Sequence, residues 1–172
     1  MVEEFKRSRF AALVTGLVVG ILAAGLFPHR PLQAVATDRQ ENFAIATGWV
    51  DESMEAVFFL DFSTGDLRAA VLSPINGKFN ALYQTNILSA LHVDISKEPR
   101  YLMVTGQAQL RRGGGQIQPG ASVVYVAELT GGKVAAYAVP WSKAAANSGQ
   151  PVKGALVPLD SIQFRTAVVR TE

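Results

Sequence analysis

The chain has 172 residues, with 16 Lys and Arg against 14 Asp and Glu and an isoelectric point near 9.0. It contains no cysteine, which excludes a disulfide framework, a thiolate nucleophile and a Cys-ligated metal site. Its two histidines, His29 and His92, are too few for a multi-histidine metal site within one chain. The composition therefore predicts neither thiol chemistry nor a metal centre.

The excess positive charge is concentrated at the N-terminus. Residues 1–36 contain four basic side chains against two acidic ones, whereas residues 37–172 contain twelve of each. A nucleic-acid interface needs positive charge clustered over the folded domain. The balanced domain therefore predicts no nucleic-acid partner.

Residues 10–27 form an uninterrupted stretch of eighteen residues without a charge. A helix of this length spans roughly 27 Å, close to the hydrocarbon thickness of a bilayer. Lys6, Arg7 and Arg9 precede it, so we expect the flank at 1–9 to stay in the cytoplasm. The pattern predicts a single-pass protein of the bacterial inner membrane, in contact with the lipid bilayer, with the rest of the chain in the periplasm.

A cleaved signal peptide is the alternative interpretation of the same segment. Ala34, Val35 and Ala36 form a small-x-small site, and cleavage would follow Ala36. The apolar stretch is longer than the usual 7–15 residues of a signal peptide, which favours a retained anchor. Both interpretations export the domain.

Four small residues fall at successive i, i+4 positions of the predicted membrane helix. These residues are Ala12, Gly16, Gly20 and Ala24. Such a ridge lets a second helix approach closely, although small residues are common in membrane spans. It marks a candidate helix-packing face.

Residues 28–42 have no sustained periodicity and are interpreted as a tether, and residues 43–172 suffice for one domain. Short apolar runs separated by turn residues predict a mainly β fold. The expected strands are 43–47, 56–60, 67–72, 78–85, 101–110, 123–129, 134–139 and 155–164. Residues 85–91 and 142–147 have room for a turn or two of helix.

The exported domain contains an internal duplication, with copies at about 43–95 and 100–172. Residues 57–69 align with 124–136 at an offset of 67, and residues 43–48 align with 101–106 at an offset of 58. A connection nine residues longer in the second copy accounts for the difference. Each copy is therefore predicted to be an antiparallel four-stranded meander.

A four-stranded meander is the unit of a β-propeller blade, and a propeller needs four to eight blades. Two copies leave two solutions. The strands close on themselves as a sandwich or barrel, which we prefer slightly, or several chains assemble a ring of propeller-like blades. A trimer would supply six blades.

Two sequence blocks carry a resemblance to known proteins. LDFSTGDLRAAVLSPINGKFNA and VVYVAELTGGKVAAYAVPW resemble blocks of singly membrane-anchored proteins common in planctomycete bacteria, and the repeats resemble blades of quinoprotein-type β-propellers. The resemblance covers most of residues 43–172. It implies a bacterial envelope setting and transfers no functional residue.

Asp61 and Glu128 occupy equivalent positions at the entry to a turn, with Gly65 and Gly132 four residues later. Carboxylate pairs serve in glycoside hydrolysis, but an acidic residue in a duplicated turn also accepts backbone N–H groups. We favour the structural role.

The connection between the first two strands has opposite charge in the two copies. In the first copy it contains Asp51, Glu52 and Glu55, and in the second it contains Arg111 and Arg112 in a glycine-rich loop. If chains met head to tail, the two loops could face one another and fix the register.

Two weaker groupings have structural explanations that we prefer. His92 and Asp94 would share one face of a strand, but no third ligand or orienting partner is near. Trp49, Trp141 and Tyr137 are candidates for a ligand-stacking surface, but such aromatic residues more often fill a β core or its edge.

These patterns predict a non-enzymatic, membrane-anchored envelope protein that acts as a scaffold or assembly subunit, without a cofactor. We expect a homo-oligomer or a complex with other envelope proteins. The alternatives are a ligand-binding or enzymatic propeller-like domain completed by oligomerisation, and an accessory subunit of a larger integral membrane complex.

Overall fold

The structure is a computed structural model, and it describes residues 14–17, 37–110 and 118–165. The chain divides into two units, residues 1–34 and 35–172. In the first unit residues 14–17 are helical with exposed side chains. The rest of the predicted membrane helix, with Ala12, Gly20 and Ala24, lies outside the described residues, as do the flank at 1–9, the cleavage site at Ala36 and residues 28–36 of the tether. Within the described ranges, no helix is long and apolar enough to cross a membrane.

The described part of the second unit consists of β strands with three short helical segments. The strands are β1 Thr37–Arg39, β2 Phe43–Trp49, β3 Glu55–Asp61, β4 Asp66–Leu72, β5 Phe79–Asn86, β6 Tyr101–Gln107, β7 Gln118–Glu128, β8 Lys133–Trp141, β9 Val152–Gly154 and β10 Val157–Gln163. The helices are α1 Leu88–Leu91, a 3-10 turn Ile95–Lys97 and α2 Lys143–Asn147. The fold is mainly β, as predicted.

The strands form two open sheets. Sheet 1 has the order β1-β2-β3-β4-β5-β9, and sheet 2 has the order β10-β8-β7-β6. All neighbours are antiparallel except β9, which pairs parallel with β5. Neither sheet closes into a barrel within the described ranges.

The eight strands expected from the sequence are all present, and two short strands were missed. Residues 37–39, expected to belong to the tether, pair with β2 as strand β1. Residues 152–154 form β9 on the opposite edge of sheet 1. Ser142 caps α2 by accepting the N–H of Ala145 at 3.3 Å, so residues 142–147 do form the expected turn of helix.

The two sheets have the same pairing register over four strands. Phe43 opposite Asp61 in sheet 1 corresponds to Tyr101 opposite Glu128 in sheet 2. The β3–β4 pairs recur in β7–β8 at an offset of 67 for every pair. Strand β10 follows β5 at an offset of 77 until a bulge between Pro158 and Asp160. The offsets found in the sequence are therefore the offsets of the hydrogen-bonded ladders.

The hydrophobic core lies between the sheets and contains buried side chains from both. Strand β2 packs on β6 and β7, and the hydroxyl of Thr105 donates to the carbonyl of Thr47. Glycine is needed at Gly48, where a Cβ would lie 2.8 Å from Ser122 Oγ. Contacts between the sheets are concentrated along β2, β6 and β7.

Several polar atoms are enclosed in the protein interior. The hydroxyls of Tyr101, Tyr137 and Ser122 and the indole N–H of Trp49 are buried without a hydrogen-bond partner among the described residues. Burial raises the pKa of Tyr137 to about 12. Burial, with the nearby charge of Glu128, also raises the pKa of Tyr101.

Candidate functional site

The turn after β3 is held by the carboxylate of Asp61. Its Oδ1 accepts the N–H of Ser63 at 2.8 Å and that of Thr64 at 3.2 Å. The N–H of Gly65 donates to the carbonyl of Asp61 at 2.9 Å, with a φ of 72° that favours glycine. The Asp61 carboxylate is thus bound to the backbone of its own turn.

The turn after β7 repeats this arrangement with a longer acidic side chain. The two carboxylate oxygens of Glu128 accept the N–H of Thr130 at 2.6 Å and that of Gly131 at 2.5 Å. Gly132 has a φ of 74° and donates to the carbonyl of Glu128. Glu128 is buried whereas Asp61 is half-buried. The two equivalent turns therefore contain carboxylates that differ in their exposure to solvent.

The acidic loop between β2 and β3 is tied to sheet 2 through Asp51. Its carboxylate accepts Ser53 N–H at 2.8 Å and, through the other oxygen, the indole N–H of Trp141 at 2.9 Å. Burial raises the pKa of Asp51, but the hydrogen bonds from Ser53, Trp141 and Met54 outweigh burial and hold it below its ordinary value. Asp51 therefore serves an internal contact, while Glu52 is exposed and Glu55 is half-buried.

The acidic loop has a basic counterpart in the second copy. Arg111 and Arg112 lie outside the described residues. The pairing of acidic and basic loops between chains stays a prediction.

The aromatic residues considered for ligand stacking lie mainly in the core. Tyr137 and Trp141 are buried members of the inter-sheet cluster, and Trp49 is half-buried. They are not brought together as an open aromatic surface.

His92 and Asp94 do not share a strand face, so that expectation was wrong. His92 follows α1 in a left-handed conformation with a φ of 54°, and Lys133 Nζ lies 2.8 Å from its Nδ1. Asp94 instead accepts the hydroxyl of Ser96 at 2.6 Å and pairs with Lys97 at 3.4 Å. Both residues lie between two helical segments and not on a strand.

No group of three or more His, Asp or Glu side chains with metal-binding geometry occurs in the part of the chain that the structure describes. The features that stand out instead are the two faces that the sheets turn away from the core. We call them outer face 1, on sheet 1, and outer face 2, on sheet 2.

Outer face 1 presents large apolar side chains to solvent. The most exposed are on β2, β4 and β5, and half-buried side chains of β3 lie between them. The face consists of Phe43, Ile45, Val57, Phe59, Leu72 and Leu82. The rings of Phe43 and Phe59 stack at 5.3 Å.

A concavity of about 490 Å³ lies on outer face 1. Its lining combines apolar side chains with three polar ones, and includes Val57, Phe59, Leu82, Arg68, Gln84 and Lys153. The Arg68 side chain is well exposed and pairs with Asp66 at 3.2 Å. The concavity suits an apolar protrusion with a polar margin.

Outer face 2 is its counterpart on sheet 2. Cross-strand pairing places Val104 opposite Tyr125, and Val134 opposite Ile162. Leu102, Val104, Tyr125 and Ile162 are all exposed. The double layer is therefore apolar outside as well as inside.

The sequence carried a signal for these faces that the strand assignment did not use. A half-solvated strand alternates apolar and polar residues, whereas a strand covered on both faces is apolar throughout. Residues 56–60 and 123–127 are apolar without interruption. Both central strands thus have the composition of strands covered on two sides.

Comparison with protein-family models, curated proteins and solved structures finds no match for this chain.

Proposed function

We propose that the protein is a non-enzymatic assembly subunit of the bacterial envelope, anchored in the inner membrane by its N-terminal segment. Its duplicated β domain would act by binding other protein surfaces through outer faces 1 and 2. The apolar stretch at 10–27 with its basic flank supports the anchor. The equal register of the two sheets supports the duplication.

The observation that carries this proposal is the pair of outer faces. Soluble monomers rarely expose large contiguous apolar patches, and such patches mark interaction sites. Here the exposed residues follow the strand pairing across each face: Ile45 opposite Phe59, and Val104 opposite Tyr125. Each face is therefore a coherent surface built by one sheet.

Site-specific photo-crosslinking in intact membranes tests the proposal. A photoreactive side chain is introduced at Leu82 on outer face 1 or at Val104 on outer face 2. The matched control is Ile75, which is equally apolar and exposed but lies in the β4–β5 hairpin turn, outside both faces. We expect protein adducts of defined mass at Leu82 and Val104 and none at Ile75. No adducts at either face, or equal labelling at Ile75, would contradict the proposed function.

A further inference from the structure

We infer that the partner of each outer face is a second copy of this chain, with outer face 2 of one chain packed on outer face 1 of the next. The arrangement would repeat the one that joins the two sheets within a chain. This inference rests on the proposed function, because it names the partner of the same two faces.

The strand ladders define which residues of the two sheets are equivalent. Because the pairing is the same at every position of β2–β3 and β6–β7, each residue of one sheet has a defined counterpart in the other. Phe43 corresponds to Tyr101, Ile45 to Met103 and Phe58 to Tyr125. Burial can therefore be compared position by position.

The two sheets bury opposite faces of the shared ladder. Tyr101 and Met103 are 0% and 2% exposed, but their counterparts Phe43 and Ile45 are 37% and 40% exposed. In the reverse direction, Val104 is 53% exposed and its counterpart Ala46 only 2%. Outer face 1 is thus the equivalent of the surface that sheet 2 buries, and outer face 2 is the equivalent of the surface that sheet 1 buries.

A contact between outer face 2 of one chain and outer face 1 of the next joins two different surfaces. A two-fold interface uses the same patch on both partners, whereas a contact between two different faces is heterologous and continues into a ring or a filament. Gly48 lies against Ser122, but a Cβ at Gly106, its counterpart, would meet only Tyr125 of the same sheet within 4 Å. The contact within the chain therefore occurs once, and both of its complementary surfaces remain open.

Polar contacts of the internal interface have counterparts at the two outer faces. The Thr105 hydroxyl donates to the Thr47 carbonyl within the chain. Between chains, the equivalent bond would run from the Thr47 hydroxyl of one copy to the Thr105 carbonyl of the other. Gly106 is the counterpart of Gly48, so outer face 2 also has a glycine where a second chain would approach closely.

The counterpart residues differ at several positions, and at two of them outer face 1 carries a charge that the internal interface lacks. Glu55 stands where sheet 2 has Ser122, and Arg68 stands where sheet 2 has Ala135. Both substitutions are on outer face 1, and both add charge. An interface between chains is more polar than a core cut in half when it is not obligate, so these changes fit a contact that assembles from folded chains.

Four to eight blades form a closed propeller, which corresponds to two to four copies of a chain with two sheets. We therefore expect a closed ring of that size from the full chain. The expected mass is two to four times that of one chain.

Complementary variants test the geometry directly. Val104→Asp places a charge on outer face 2, and Ile45→Asp places a charge on outer face 1. Ile75→Asp is the matched control. In detergent we expect each face variant to lower the mass of the full-length protein to that of one chain, with unchanged circular dichroism. Mixing the two face variants should restore a dimer, because each still contributes one intact face. Ile75→Asp should keep the wild-type mass.

Engineered cysteines provide a second measurement, since the chain has none of its own. Oxidation of a Glu55→Cys, Gly106→Cys double variant should link chains into a ladder that ends at the ring size. Glu52→Cys with Gly106→Cys is the matched control and should stay at background. A ladder from Gly106→Cys alone would indicate a two-fold contact and overturn the inference.

The two proposals fail in different ways. A mass unaffected by Val104→Asp and Ile45→Asp would overturn docking of a second copy. Photo-adducts at the two faces with the mass of a different protein would also overturn it, but would leave the assembly function standing. An absence of adducts from both faces would overturn both.

Discussion

Sheet 1 and sheet 2 have the same strand pairing but different surroundings. Sheet 1 is extended at both edges, by β1 beside β2 and by β9 beside β5. Sheet 2 ends at β6 and β10 within the described residues. The two sheets also bury opposite faces. The repeated sequence pattern therefore determines the ladder, whereas the neighbouring sheet determines which side of the ladder is buried.

Truncation at one pair of equivalent positions should give the largest difference in stability between the two sheets. Phe58 is 0% exposed and Tyr125, its counterpart, is 38% exposed. We expect Phe58→Ala to lower the free energy of unfolding by about 3–5 kcal/mol. Tyr125→Ala should lower it by about 1 kcal/mol or less, because most surface substitutions have small effects.

Urea unfolding of the full chain in detergent, followed by tryptophan fluorescence, measures both losses. The protein is diluted until any oligomer has dissociated, so that contacts between chains do not contribute. Equal losses from the two variants would mean that β3 and β7 do not bury opposite faces.

Removing the turn carboxylates should give a smaller difference in stability, and here the larger loss falls on sheet 2. Glu128 is buried and accepts two backbone N–H groups beside the core, so Glu128→Ala should cost about 2–4 kcal/mol. Asp61 binds its turn at a more solvated site, and Asp61→Ala should cost about 1 kcal/mol. The same unfolding experiment compares them, with Glu128→Gln as a variant that keeps one acceptor oxygen. A larger loss from Asp61→Ala would contradict the difference in burial.

The smallest expected effect concerns pH and only the first copy. The corresponding connection of the second copy, residues 108–121, contains no acidic residue. Because the pKa of Asp51 is lower in the folded protein than its ordinary value of 3.8, its contribution to stability is present above that value. The contribution is lost as pH falls through the folded pKa. As pH falls, the free energy of unfolding should therefore decrease more steeply for the wild type than for Asp51→Asn. Parallel plots of this free energy against pH would contradict the Asp51–Trp141 bond.

Much of the fold could be predicted because the longer strands are apolar runs bounded by turn residues. The three-residue strands β1 and β9 could not be predicted in this way. The side chains of β1 are exposed and those of β9 are mostly exposed, so they show no apolar periodicity. These strands depend on backbone pairing with β2 and β5, which is a tertiary fact.

The interaction surfaces were harder to predict than the strands. A run such as residues 57–60 is apolar at every position, so it does not indicate which face meets the core. The Asp51–Trp141 bond joins residues 90 positions apart, and an acidic loop alone gave no sign of it. His92 was assigned to a strand because alternation was assumed where the chain makes a helical turn.

The tyrosines buried in the core provide an optical signal for the packing of the two sheets. An exposed tyrosine ionises near pH 10, whereas burial raises the pKa of Tyr137 to about 12. Between these pH values the Tyr137 phenol stays largely protonated in the folded protein and ionises when unfolding exposes it. The free energy of unfolding should therefore fall as pH rises through this range, and unfolding should raise the tyrosinate absorbance there without an added label.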